Sequence, residues 1–374
     1  MRRRLWMVPV AVAATAAAVS AGLVWADDAD PATEPESAGV GPDATVTLPT
    51  GDTVSVNGDM LSPSGGAARA GMAFHSMTLP SGDRLVLPAD QTGAVFGGTD
   101  DDRLYNVDAL LRNGVTDART VDDPETLTDA TLRSPQTKAD AVTVTVEATW
   151  WEPEVTPDVA GVWVNLDTGE SAGFGGDGSE PVTADLEPGR YAILTSMSVD
   201  GDEHQAVGDV TEIEVADAAI TVPVDGTAAK PIGFDVDRPA ELAGREADVF
   251  VKPDCACDPV TFQTFVTGAS DVRMIPSGDG DSERGLVLRD TMAGTDGSYT
   301  YNLARVSGDG IPAEPVFKVS DADLAARDVD YADMGGDGDL ERVVLSDNEE
   351  FPPLGAVYGD TVAVPGEHTE LFSV

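Results

Sequence analysis

The chain has two cysteines among 374 residues, Cys255 and Cys257, so no disulfide framework can hold it together. Histidine is almost as scarce, with His75, His204 and His368 only. Basic residues number 22 against 67 acidic ones, for a net charge of -45, and lysine is confined to Lys138, Lys230, Lys252 and Lys318. Aromatic residues make up 6% of the chain. One long apolar run exists, Leu5 to Val24; nothing later could span a bilayer as a helix. These shortages exclude several classes. A surface this negative repels nucleic acid and anionic lipid. Two thiols one residue apart cannot complete a tetrahedral zinc site without ligands from elsewhere, and no histidine lies near them in sequence. In an exported chain they can close a tight disulfide with each other or pair with another chain.

What is present begins with Arg2, Arg3 and Arg4, then the apolar run, then Val24-Trp25-Ala26 before Asp27. Residues 1–26 therefore read as a secretory signal peptide, with an uncleaved membrane anchor as the rival. Cleavage leaves no spanning segment and a secreted, extracellular protein. Loss of three arginines leaves 19 basic against 67 acidic residues, a net of -48. Such charge favours solubility, cation binding or salty surroundings in which self-repulsion is screened.

Residues 27–43, "DDADPATEPESAGVGPD", form an acidic linker expected to be disordered. A small α+β unit is expected over 44–117. It contains "ATVTLPTGDTVSV" and "MTLPSGDRLVLPAD", which share the pattern L-P-[TS]-G-D between alternating apolar residues, so each copy predicts a β-hairpin. Pro88 to Phe96 reads as a short helix. A capped helix follows in "RLYNVDALLRNGV", with Asn106 as N-cap, Asp108 in the first turn, Val107, Leu110 and Leu111 on one face, and Gly114 at the end. Residues 118–140 read as a linker. Over 141–229, "AVTVTVEATWW", "GVWVNLDTGE", "ADLEPGRYAILTSMSV", "TEIEV" and "AAITVPV" are short strands separated by turns, the pattern of a transthyretin- or Ig-like β-sandwich. Residues 230–374 carry a further series of strands and read as a second all-β domain. The fold class expected is mainly β.

Several of these segments, in this order, resemble parts of large secreted subtilisin-like serine peptidases of Gram-positive bacteria. "ATVTLPTGDTVSV", "RLVLPAD" and "RLYNVDALLRNGV" are similar to the segment between signal peptide and catalytic domain. "LEPGRYAI", "AAITVPVDGTAAKPIGFDV", "SYTYNLARVSGDGIPAEPVFKVSDADLAARDVDY" and "PGEHTELFSV" are similar to modules that follow it. The resemblance implies a propeptide-like first domain and accessory β-domains after it. The family's catalytic motifs are missing. None of the three histidines is glycine-flanked as in H-G-T-H, no serine stands in G-T-S-M or G-x-S-x-G, and Asp167-Thr168-Gly169 lies in a turn without partners. Roughly 25 residues between the first two units leave no room for a catalytic domain. No catalytic residue or cofactor is assigned.

Weaker constellations remain. "DMGGDGDLE" crowds carboxylates with glycines, making Asp333, Asp337 and Asp339 calcium candidates, though the spacing is not that of an EF-hand. Trp150 and Trp151 are expected on opposite faces of a strand end, one in the core and one outside. The resulting expectation is an exported, non-catalytic, multi-domain binding or accessory protein whose partner is an extracellular protein or a cell-envelope component. The alternatives are a propeptide-like inhibitor or folding chaperone acting in trans on a secreted subtilase, and an unrecognised or split hydrolase.

Overall fold

The computed structural model describes residues 44–127, 141–199, 204–331, 340–345, 356–362 and 366–373, less short turns and single positions within those spans (59, 67, 70, 80, 256, 258, 268–269 and 279–282). The expected signal peptide, the acidic linker and Asp333, Asp337 and Asp339 all lie outside the described residues. The chain is mainly β.

Both L-P-[TS]-G-D copies are hairpins. Ala44–Thr47 pairs with Thr53–Asn57, and Phe74–Thr78 with Arg84–Pro88. In each, the glycine N–H donates to the leucine carbonyl three residues back, Gly51 to Leu48 and Gly82 to Leu79. Gly51 and Gly82 have φ of 88° and 85°, a left-handed conformation that side chains resist. The leucine N–H then takes the aspartate carbonyl, which closes a three-residue turn with a glycine bulge.

The two turn aspartates are buried, Asp52 at 0% and Asp83 at 5% exposure, and each is met by an arginine from elsewhere. Arg69 donates through Nε to Asp52 at 2.9 Å, and through both terminal nitrogens to Asp90 at 2.7 Å. Arg112 reaches Asp83, whose carboxyl it holds below the usual range. Asn106 caps α2 (Val107–Arg112) by accepting the Ala109 N–H at 2.8 Å, and its amide donates to Asp83 at 3.1 Å. Val107 and Leu110 are fully buried beneath it, Leu111 is half-buried, and Gly114 has φ of 71°. A preceding helix, α1, spans Thr92–Phe96.

Three sheets stack in layers beyond this unit. The outer sheet has three strands in the order Ile220–Asp225, Val142–Thr149, Val182–Leu186. The middle sheet has six and centres on Asp158–Asn165, Gly189–Val199 and Gln205–Val215. The large sheet is built around Ala240–Val251, Val260–Thr267, Arg284–Gly294 and Tyr299–Ser307. Val144, Val146, Trp163, Ile193 and Met197 fill the gap between outer and middle sheets. Val162, Val164, Leu166, Leu194, Val249 and Leu288 fill the gap between middle and large sheets. The middle sheet is thus covered on both faces, so its strands read as continuous apolar runs rather than alternations. Val162, Val164 and Leu166 form one face; Val159 and Trp163 form an equally buried opposite one.

The sheets run across the expected domain divisions. Phe74–Thr78 of the first unit pairs antiparallel with Val260–Thr267, which makes the second hairpin an extension of the large sheet. Asp271–Met274 joins the middle sheet in parallel with Gln205–Val215. Within the expected 118–140 linker, Ala118–Thr120 and Pro124–Thr126 are 3₁₀ turns, and Ala118 and Leu127 are buried in the core. A lone hairpin is marginal in water, and these segments gain burial by joining a neighbour.

Candidate binding cleft

One side of the sandwich is open, where the middle sheet ends in Ser171–Gly176 and the outer sheet in Val182–Leu186. The first unit docks across this side through α1. Phe96 lies against Gly175, where an added Cβ would come within 2.3 Å of the ring, and a Cβ on Gly93 would sit 3.1 Å from the Asp177 backbone nitrogen. Glycine is required at the first contact and leaves room at the second for helix and strand to approach.

Between these elements lies a cleft of about 500 Å³. Its inner wall is aromatic. Trp163 and Phe174 pack with ring centroids 4.5 Å apart, and Phe174 lies over Gly161. Its rim is acidic: Asp100, Asp101 and Asp102 from the turn after α1, and Asp185 from the strand edge. Arg103 is the basic lining residue, and it is engaged with Asp101 at 2.9 Å. Asp185 accepts the Thr143 hydroxyl at 2.8 Å. Trp163 is 2% exposed, and its indole N–H has no acceptor among the described residues. An aromatic wall and a net negative rim suit binding of a cationic group better than proton transfer or nucleophilic attack.

The residues singled out from sequence fall elsewhere. Cys255 and Cys257 are joined as a disulfide at the tip of the Ala240–Val251/Val260–Thr267 hairpin. They press on Gly169, where a Cβ would meet Cys257 Sγ at 2.7 Å. Asp254 donates its N–H to Leu166 O, and Arg190 bridges Asp167 and Asp254. The disulfide loop therefore clamps the large sheet onto the sandwich. Among the described residues no group of three or more His, Cys, Asp or Glu side chains is placed to hold a metal.

The histidines occupy buried positions. His75 faces the Thr264 hydroxyl at 3.4 Å, and burial, aided by nearby His204, drives its pKa down to about 3. His368 contacts the Thr300 hydroxyl at 2.8 Å. Trp150 is core, as one of the pair was expected to be. Trp151 does not face the opposite way; it stacks on Trp150 at 3.9 Å and is covered by Arg273 at 4.5 Å. The strand ends at Thr149, so the alternation that would have separated the two indoles does not reach them.

The large sheet carries a charged cluster that the sequence reading passed over. Glu246, Asp248 and Arg289 share one face at 0–3% exposure, with Arg289 3.1 Å from Glu246 and 3.4 Å from Asp248. Burial, with only one guanidinium between them, holds both acids above the usual carboxylate range, Glu246 furthest. The signal was in the strand "GREADVF", where Glu246 and Asp248 stand two apart, alternating with Arg245, Ala247 and Val249 of the other face.

No family model and no curated protein matches the chain. Two solved structures are similar in part. One, from Bacteroides ovatus and provisionally assigned as an adhesin, is 11% identical, with 48% of this chain and 92% of that one covered and a TM-score of 0.20. The other, BcpA, the major pilin subunit of Bacillus cereus, is 10% identical, with 62% and 84% covered and a TM-score of 0.13. At these scores neither neighbour's role carries over.

Proposed function

We propose that the chain is an exported, non-catalytic binding protein, assembled from modules like the accessory parts of secreted subtilases, that engages an extracellular protein or cell-envelope component through the cleft. The observation that carries this reading is the cleft itself, in which an aromatic wall and an acidic rim meet at the open side of the sandwich. The chemistry a subtilase needs finds no support here. His75 and His368 are buried against threonines, and Asp167 is tied to Arg190.

The trans-acting inhibitor is the second reading, and it has less support. A propeptide inhibits by laying its tail through the protease cleft as an added strand. The tail here is packed down: Asp117 bridges to Thr47, and Ala118 and Leu127 are buried.

The test is retention of partners from culture supernatant on the immobilised mature chain, with an Ala184→Trp variant that fills the cleft as comparison. Both proteins should melt alike, and the retained species should be lost from the variant. Equal retention by both would place the binding surface elsewhere. Casein cleavage, or labelling by a fluorophosphonate probe that denaturation abolishes, would overturn the non-catalytic reading.

A further inference from the structure

The strand Val182–Leu186 is paired on one side only, by Val142–Thr149, and its other side opens into the cleft. An edge of this kind presents a row of backbone N–H and C=O groups that another chain can complete. At five residues it offers about 17 Å of pairing length. Natural edges are blunted by charged side chains, proline, bulges or cover. Within Val182–Leu186 the one charge is Asp185, and the one flanking proline, Pro181, stands just before the strand, so four residues are left free of either device.

The charge around that edge is of one sign. Four acids, Asp100, Asp101, Asp102 and Asp185, face a single arginine, on a chain already at -45. A second copy of this chain is disfavoured as the occupant, because it would bring the same charge. Anionic polymers are disfavoured for the same reason.

Resting on the cleft being the binding site, we propose that its occupant is an extended polypeptide segment rich in lysine or arginine, added as a strand to the Val182–Leu186 edge. Main-chain hydrogen bonds supply the affinity, and alternate side chains place their cations among the rim aspartates. The aromatic wall accepts the apolar residues between them.

The probe is a capped, alternating Lys-Val peptide, titrated into the intact mature protein by calorimetry at low salt. The same peptide with glutamate for lysine is the charge control. Two further versions carry backbone N-methyl groups, on the valines or on the lysines. Methyl groups along one edge of an added strand block pairing, whereas along the other they face away. The Lys-Val peptide should bind and the Glu-Val peptide should not. One methylated version should lose binding and the other keep it. Asp102→Asn with Asp185→Asn should weaken binding about tenfold, mainly through slower association, and added salt should mimic that loss. Equal harmlessness of both methylated versions would overturn strand addition. Equal binding of the glutamate peptide would overturn the charge selection. If Ala184→Trp abolishes retention from supernatant but no Lys-Val peptide binds the wild type, the cleft stands as a binding site and the basic strand falls. The acidic rim would then be a guard that keeps like-charged copies off the edge.

Discussion

The two faces of the large sheet solve the same problem differently. Arg245 lies directly across from Asp290, and Glu246 across from Arg289, so adjacent positions place one ionic group on each face. Between the large and middle sheets, Arg245 donates Nε and a terminal nitrogen to the two Asp290 oxygens at 2.7 and 2.6 Å. That pair is one-to-one and bidentate, the favourable geometry for a buried guanidinium and carboxylate. Gly233 makes room for it; a Cβ there would sit 2.7 Å from the guanidinium. On the far face, beneath Ala356–Val362, one guanidinium serves two acids. Gln263 donates to Glu246 Oε1 at 3.3 Å, but Glu246 Oε2 and Asp248 Oδ1 find no donor among the described residues. Counted among the described residues, the first cluster closes and the second is one negative charge over. A proton kept by one carboxyl and donated to the other closes it. Burial raises both acids, and we assign the proton to Glu246, an assignment that Glu246→Gln tests. Both clusters pin the register, because a one-residue slip would send each group to the wrong face.

The largest expected effect tests the proton count of the far cluster. Arg289→Met leaves the buried Glu246 and Asp248 without a cation and should cost about 3–5 kcal/mol at pH 7.5, the usual result of removing one partner from a buried ionic group. Arg245→Met strands Asp290 in the same way. With Glu246 already protonated, each variant strands one carboxylate, Asp248 or Asp290, so each loss should shrink towards pH 5 with about one proton taken up beyond the wild type. Urea unfolding of both variants across pH measures this, the slope of stability with pH counting the protons. Two extra protons for Arg289→Met against one for Arg245→Met would mean that Glu246 and Asp248 are both ionised in the wild type.

The intact protein should show the imbalance in milder form. Asp209 is pushed up to about 6 by burial, and Glu246, Asp248 and Asp290 are raised by the same cause. An acid raised on folding binds its proton more tightly in the native state, so its contribution falls as pH rises from the unfolded value through the folded one. His75 works in reverse. Held neutral down to about 3, it costs stability as pH falls below its unfolded value. Four acids outweigh one histidine between about pH 4 and pH 6, so stability climbs as pH falls through that window. Melting temperature should therefore peak at its acid end and decline towards pH 8. A His75→Gln variant should raise the acid side of the curve and leave the decline intact. A peak at neutral pH would mean that the acids are better solvated than their burial implies.

How much of this was legible depended on where the relevant residues lie in the chain. The two hairpins, the Asn106 cap and the Val144/Val146 alternation are set by residues a few positions apart, and local chemistry suffices for them. The middle sheet was harder. A strand covered on both faces loses its alternation, as Trp163 shows by being buried as deeply as Val162 and Val164 on either side of it. The pairing of Phe74–Thr78 with Val260–Thr267 joins residues almost two hundred positions apart, beyond the reach of any local pattern. The cleft fails for the same reason, since its rim comes from 100–103 and 182–185 and its wall from 163 and 174. The charged cluster differs. Its acids stand in plain view, but a carboxylate in a strand reads as solvent-facing unless a second face is known to be covered.

The smallest effect is the one that would make the two clusters alike. Glu246→Gln keeps the volume and replaces the shared proton with an amide that can donate to Asp248 permanently. The far face would then hold one guanidinium, one carboxylate and one neutral donor, the same charge count as Arg245 and Asp290. In the wild type, folding at neutral pH requires Glu246 to take up a proton that the unfolded chain has released. That uptake costs up to about 1.4 kcal/mol for each pH unit above the ordinary glutamate value of about 4.3, until the folded pKa is reached. Relaxation around the site and the weaker acceptor left for Arg289 offset part of the gain. The variant should therefore be more stable by about 1–2 kcal/mol at pH 7.5, with the difference shrinking as pH falls and vanishing below about pH 3.5, where both states of the wild type carry the proton. Urea unfolding at the two pH values reads it directly. A variant destabilised at pH 7.5 would show that Arg289 needs both negative charges, and that the far face is an ionised triad rather than a proton-sharing pair.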